Sequence, residues 1–187
     1  MSRPVPASLV RPDLRYMASF VEAMREGYSR DNLRPETADT IAAIAAEPEA
    51  FVRQQLNPPT TIVLPDGSLG DRVPESQLWC VDGDAFLGSV GVRHRLNPML
   101  EAWGGHIGYA VRPSARGRGL ASAMLAGGLD WARANLPLER VMLTVNENNP
   151  ASIRVIEKNG GVLRDTVPHP WVPGDAGRRY WIALRDT

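Results

Sequence analysis

The sequence holds one cysteine, Cys80, which excludes an intrachain disulfide and any cysteine-based zinc site. Its three histidines, His94, His106 and His169, lie too far apart to form a local metal-ligand pair such as H-E-x-x-H. No apolar run approaches the roughly 20 residues of a membrane-spanning helix. The stretch 1–12 has no apolar core of the kind a secretory signal needs. These absences predict a soluble cytoplasmic protein without metal or membrane partner. Net charge is also missing: 21 basic residues face 21 acidic ones. A neutral chain lacks the basic face that nucleic-acid binding requires. Lysine is nearly absent, since Lys158 is the one lysine among those 21 basic residues. Codon bias explains such an arginine excess, although an always-charged guanidinium is also well suited to anions.

What is present is ordinary globular material. The 187 residues, 43% hydrophobic and 22% charged, suit one domain, 1–187, with a sizeable core. The stretch 7–11 reads as a first strand. Leu14, Met17, Phe20, Val21 and Met24 recur at helical spacing and build an apolar helix face that Gly27 ends. A second helical pattern covers 38–56, with a break at Pro48. The Pro- and Gly-rich stretch 57–75 reads as a loop. The period then changes to two. Strands are predicted over 77–81 and 85–94, joined at Asp82-Gly83-Asp84, and over 106–111. A helix over 120–134, a strand over 140–145, a short helix over 150–158 and strands over 162–167 and 178–184 complete the order. Such mixing predicts an α/β (α+β) fold with a mixed, mostly antiparallel central sheet flanked by helices.

One segment carries chemistry. Between the strand ending at Val111 and the helix starting at Leu120 stands Arg112-Pro113-Ser114-Ala115-Arg116-Gly117-Arg118-Gly119. Glycines there let the backbone approach a ligand closely. The helix N-terminus adds unpaired N–H donors and a positive dipole end. Together these suit an anion, most naturally a pyrophosphate. Arg112, Arg116 and Arg118 lie close together with no acid among them. The segment lacks the lysine of a Walker A loop and the third glycine of a dinucleotide fingerprint. The plainer reading is a Gly-rich turn with solvated arginines.

The run Arg116-Gly117-Arg118-Gly119-Leu120-Ala121 resembles the R/Q-x-x-G-x-G/A signature of the GNAT superfamily of N-acetyltransferases. Asn148-Asn149-Pro150-Ala151-Ser152, followed by a helix and Gly160, resembles that family's second motif, and the order of elements is similar over nearly the whole chain. The combination of 105–109, 157–161 and 179–181 is similar to a bacterial subgroup known mainly as predicted acetyltransferases. The resemblance implies that the main-chain amides of Arg116, Gly117, Arg118, Gly119, Leu120 and Ala121 hold the pyrophosphate of acetyl-CoA. It implies that Ala110, Val111 and Arg112 pair with the pantetheine arm, and that the next strand splays away to leave a slot for the thioester. Asn149 would bond the arm, with Ser152 in support; the alternative for Asn149 is to cap the following helix.

The family reaction is direct attack of an amine on the thioester, which needs a base and an acid. His106 stands near the place where the family's glutamate base sits; its alternative is a histidine satisfied by the sheet. The family's acid, a tyrosine, is replaced by Ile156. Tyr109 is a weaker candidate for catalysis, with a pocket wall as its alternative. The acceptor pocket is expected from the first helices and from 57–75, 93–104 and 168–178. Arg93, His94, Arg95 and Asn97 could read an acidic group or simply form an exposed hairpin end. The resulting expectation is an acetyl-CoA-dependent N-acetyltransferase acting on a small-molecule or peptide amine, with a homodimer as the candidate assembly. Alternatives are another acyl-CoA donor, a hydroxyl acceptor, or a non-catalytic CoA-binding module.

Overall fold

The computed structural model describes residues 7–30, 35–63 and 67–185. Strand β1 (Ser8–Val10) leads through a 3-10 turn (Leu14–Tyr16) into α1 (Met17–Arg25). Helices α2 (Ala38–Ala46) and α3 (Pro48–Leu56) follow, separated where Pro48 was expected to break the pattern. Pro48 takes the first position of α3, where its missing N–H costs nothing. Strands β2 (Thr61–Val63), β3 (Leu69–Asp71), β4 (Glu75–Asp82) and β5 (Ala85–Arg93) come next, then a short α4 (Pro98–Ala102) and β6 (Ile107–Val111). The chain ends with α5 (Leu120–Asn135), β7 (Arg140–Asn146), α6 (Pro150–Lys158), β8 (Val162–Pro168) and β9 (Ala176–Ala183).

Every named strand pairing is antiparallel. One half has the order β1-β4-β5-β6 and the other β7-β9-β8. The halves meet at an isolated bridge, Gly105 to Leu143. Helix α5 packs on one face, where Leu125 and Leu129 meet Val90, Val92, Leu143 and Ile182. It comes close because Gly128 lies against Val90, where an added methyl would stand 3.0 Å from a valine carbon. The opposite face of β4 and β5 carries α1, α2 and α3. Phe20 stacks on Trp79 at 4.8 Å between ring centres, and Tyr28, Phe51 and Phe86 close the cluster. Each buried aromatic of this kind contributes about 1.5–3 kcal/mol.

Two departures from the sequence reading have physical causes. The stretch 57–75 contains the β2–β3 ribbon, too short and too interrupted by glycine to show a period. The turn at Asp66-Gly67 falls partly outside the described residues. Leu14, read as part of the α1 face, is 47% exposed. It sits in the 3-10 turn, whose three-residue repeat shifts the inward face relative to an α-helix.

Candidate active site

Below the bridge the two half-sheets diverge. Ile107, Gly108, Tyr109 and Ala110 of β6 and Leu143, Thr144, Val145 and Asn146 of β7 line the walls of one cleft of about 480 Å3. This is the slot expected between these strands. Asn149, the N-cap of α6, and Ser152 and Ile156 of α6 line it as well, so the second motif and β6 face the same space.

The glycine loop stands at the end of β6. Gly117 and Gly119 have φ of +76° and +77°, which only glycine adopts cheaply. Gly119 is the N-cap of α5, and its carbonyl accepts from the Ser122 and Ala123 N–H groups. Among the described residues, no protein acceptor meets the N–H groups of Gly117, Arg118, Gly119, Leu120 and Ala121. A methyl group on either glycine would meet no protein atom within 4 Å. The loop therefore presents a row of donors to open space, which fits a phosphate group well.

The arginines divide. Arg116 and Arg118 are exposed. Arg116 reaches back with its Nε to the Val111 carbonyl at 3.4 Å. Arg112 is different. Its guanidinium grips Glu26, the C-cap of α1, through Nε, 3.0 Å from each carboxylate oxygen, donates to Ser19 Oγ at 2.8 Å, and lies near Glu22. Ser114 also donates to Glu26, at 2.7 Å. Hydrogen bonds first from Arg112 and then from Ser114 hold the Glu26 carboxyl down at about 2. Arg112 braces the root of the loop, and its charge is spent there rather than offered to an anion.

Backbone phase sorts the expected pantetheine-pairing residues. The Arg112 N–H donates to Leu87 of β5 at 2.8 Å. Antiparallel alternation then turns the peptide groups of Ala110 and Arg112 toward β5, and those of Tyr109 and Val111 toward the cleft edge. Of the three, Ala110 lines the cleft, and Val111 is the one whose peptide groups turn away from β5.

Asn149 takes the capping role that was its alternative, and it also lines the cleft. Its Oδ1 caps α6 by accepting the Ser152 N–H at 3.1 Å. Its Nδ2 finds no acceptor among the described residues, while the residue lines the cleft. Thr144, not singled out by the sequence reading, lines the cleft with a buried Oγ1 that has no hydrogen-bond partner among the described residues. Such an atom normally finds one. The available signal was a lone hydroxyl in the apolar run Val141-Met142-Leu143-Thr144-Val145.

The candidate catalytic residues also separate. Tyr109 lines the cleft, and its hydroxyl donates to the Ser152 carbonyl at 3.4 Å. Burial pushes its pKa upward, so the hydroxyl keeps its proton at neutral pH. His106 is 5% exposed and lies outside the cleft lining. Its Nδ1 accepts the Met142 N–H at 2.9 Å, and its backbone N–H donates to the Met142 carbonyl at 2.7 Å. The proton of the neutral ring therefore sits on Nε2. Burial, and then the charge of Arg93, bring its pKa down to about 4. Ile156, at 2% exposure, offers no proton.

Among the described residues no cluster of His, Cys, Asp or Glu could hold a metal, and no helix is long and apolar enough to cross a membrane.

Known proteins share this architecture. The spermidine/spermine N-acetyltransferase SpeG from Vibrio cholerae, solved in mutant forms, superposes with a TM-score of 0.61 at 15% identity, covering 95% of this chain and 93% of that one. The putative acetyltransferase yncA from Salmonella typhimurium, solved with its cofactor acetyl-CoA, gives 0.58 at 15% identity over 96% and 95% of the two chains. In sequence, a mycothiol acetyltransferase of Salinispora tropica is 44% identical over 50 residues, which is 27% of this chain and 16% of that protein. The family described as acetyltransferase (GNAT) domain matches residues 31–162. A cleft between diverging strands, with a glycine loop of N–H donors after one of its walls, is thus joined to a match over most of the chain, and the protein belongs to the GNAT acetyltransferase family.

Proposed function

We propose that residues 1–187 act as one enzyme that transfers an acetyl group from acetyl-CoA to a primary amine of a small molecule or peptide. The observation that carries this reading is the row of N–H donors at 117–121, which follows β6, one wall of the cleft. Those donors, flanked by the exposed Arg116 and Arg118, hold the pyrophosphate. The Val111 backbone, Asn149 Nδ2 and Thr144 Oγ1 bond the pantetheine arm, and Ser152 supports Asn149. Acetyl-CoA supplies an activated acyl carbon and a thiolate leaving group. A nitrogen–carbon bond forms as the carbon–sulfur bond breaks, the amine gives up a proton and the sulfur takes one.

Tyr109 supplies that last proton in place of the tyrosine that Ile156 lacks, because its hydroxyl stays protonated and stands in the cleft beside α6. His106 is assigned to joining the half-sheets, not to base catalysis, since its one lone pair is committed to Met142. A cytoplasmic location and a homodimer belong to the same reading.

The test is to mix protein, acetyl-CoA and a panel of amines and to follow thiol release. Tyr109→Phe is expected to lower kcat about tenfold with acetyl-CoA affinity unchanged. That is less than general acids usually contribute, because a thiolate also leaves without help. An unchanged kcat removes Tyr109 from the mechanism. Ile156 favours one rival, a CoA-binding module without activity. Tight acetyl-CoA binding without thiol release across a broad amine panel would establish that rival instead.

A further inference from the structure

Past the splay, the cleft continues over the part of β4, β5 and β6 that α1, α2 and α3 leave open. Gly91 and Gly108 are direct cross-strand partners there. Neither carries a side chain, so bare backbone forms a floor. A methyl group at Gly91 would overlap Glu75 Oε1 and come within 2.8 Å of Gln77 Nε2, whereas one at Gly108 would meet nothing within 4 Å. The Glu75 carboxylate therefore lies flat over Gly91, with open floor beside it. Gln77 Nε2 steadies it from 2.8 Å, and the side chain is 16% exposed. Arg93 is the cross-strand partner of Glu75. Its Nε stands 3.9 Å from Glu75 Oε2, a loose contact, while its Nη1 donates to the Gly105 carbonyl at 3.0 Å. Trp103 and Trp171 wall this end.

We propose that this glycine floor takes the acceptor, and that the acceptor is a primary amine with a carboxylate beside it, an α-amino acid. Glu75 receives the ammonium and Arg93 the carboxylate. The inference rests on the acetyltransferase reading above and adds the acceptor class to it. Among the described residues, the cleft lining holds one acid, Glu75, and two bases, Arg30 and Arg93. Arg30 is engaged with Glu36 at 2.6 Å. A polyamine would bring several positive charges to a lining with a single acid. A zwitterion instead meets one charge of each sign, set opposite each other on adjacent strands at the reach of a single small molecule. The indoles give its aliphatic or aromatic body an apolar wall and favour a nearby cation.

The test uses the full chain with saturating acetyl-CoA and compares leucine and phenylalanine with leucinamide and spermidine. The expected result is a kcat/KM at least tenfold higher for the amino acids. Glu75→Gln should raise the amino-acid KM tenfold or more with acetyl-CoA affinity unchanged. Gly91→Ala should do the same while keeping the charge, because the new methyl displaces a flexible carboxylate rather than backbone. Arg93→Gln should erase the preference for leucine over leucinamide. Faster turnover of spermidine or leucinamide overturns the proposal, as does acetyl-CoA binding without turnover of any zwitterion, or an unchanged KM in both Glu75→Gln and Gly91→Ala. Failure of the wild-type protein to bind acetyl-CoA overturns the acetyltransferase reading itself.

Discussion

Gly119→Trp is expected to weaken acetyl-CoA binding by about 100-fold or more while the fold survives. Gly119 has a left-handed backbone at φ +77°, so any side chain there costs about 1–2 kcal/mol. That cost is tolerable, because a side chain at this position meets no protein atom within 4 Å of its first carbon. The indole instead fills the space that the loop N–H groups face. Hydrogen bonds to charged groups are worth about 1.5–3 kcal/mol each, so loss of two accounts for the predicted factor. Gly119→Ala carries the same backbone cost without the bulk and should stay within about tenfold of wild type. Calorimetric titration with acetyl-CoA separates the two. Wild-type affinity in the tryptophan variant would show that the loop does not hold the anion.

His106→Ala is expected to cost about 3 kcal/mol of stability. It strips the Met142 N–H of its acceptor at a residue with 0% exposure, where an unmet donor costs about 1–3 kcal/mol, and it leaves a cavity. The loss falls at the bridge that joins the two half-sheets. His106→Asn can place an oxygen near the Nδ1 position and should recover most of the stability. The pair also has a signature in pH. The folded protein holds His106 near 4 against an ordinary 6.5, so between those values the unfolded chain binds the extra proton. Its contribution is full above pH 6.5, declines as pH falls through the window, and is gone near pH 4. The shift corresponds to at most about 3 kcal/mol. Urea midpoints measured from pH 7 to 4 should slope in wild type and flatten in His106→Asn. A wild-type slope in the asparagine variant would assign the titration elsewhere. Glu26 acts in a lower window: its stabilisation is present above its ordinary 4.5 and is lost as pH falls through about 2.

Much of the fold was legible because its signals are local. The helix over 150–158 matches α6 at both ends, since Asn149 caps it and Gly160 takes a left-handed turn just after it. Pro48 divided two helices that share one apolar pattern. The strands read at 77–81 and 85–94 showed a period of two around a glycine turn, and β4 and β5 cover them with ends shifted by one or two residues. Less legible was α4, a five-residue helix with no buried residue, whose only mark is Asn97 before Pro98. The β2–β3 ribbon left no mark, being two three-residue strands with mostly exposed side chains.

Within the site the division follows the same physics. The donor row depends on glycine φ angles and on the start of a helix, both properties of a few neighbouring residues, so 116–121 could be read directly. The fates of the charged and titratable groups could not. Arg112 looked like one of three free arginines, and its partner Glu26 lies 86 residues away at the C-cap of α1. The sequence has four basic against seven acidic residues over 20–56 and five against one over 93–118, and part of that opposite imbalance meets in this one contact. His106 stood at a catalytic-looking position, and its lone pair is taken by an N–H 36 residues on. Glu75 carried no motif at all; it gains its place from Gly91 on the neighbouring strand. Element type follows from local dihedrals and periodicity, which the amino-acid order encodes directly. Which charge is spent, which lone pair is occupied and which carboxylate faces a cleft follow from burial and pairing between distant segments, and only the packed chain brings those segments together.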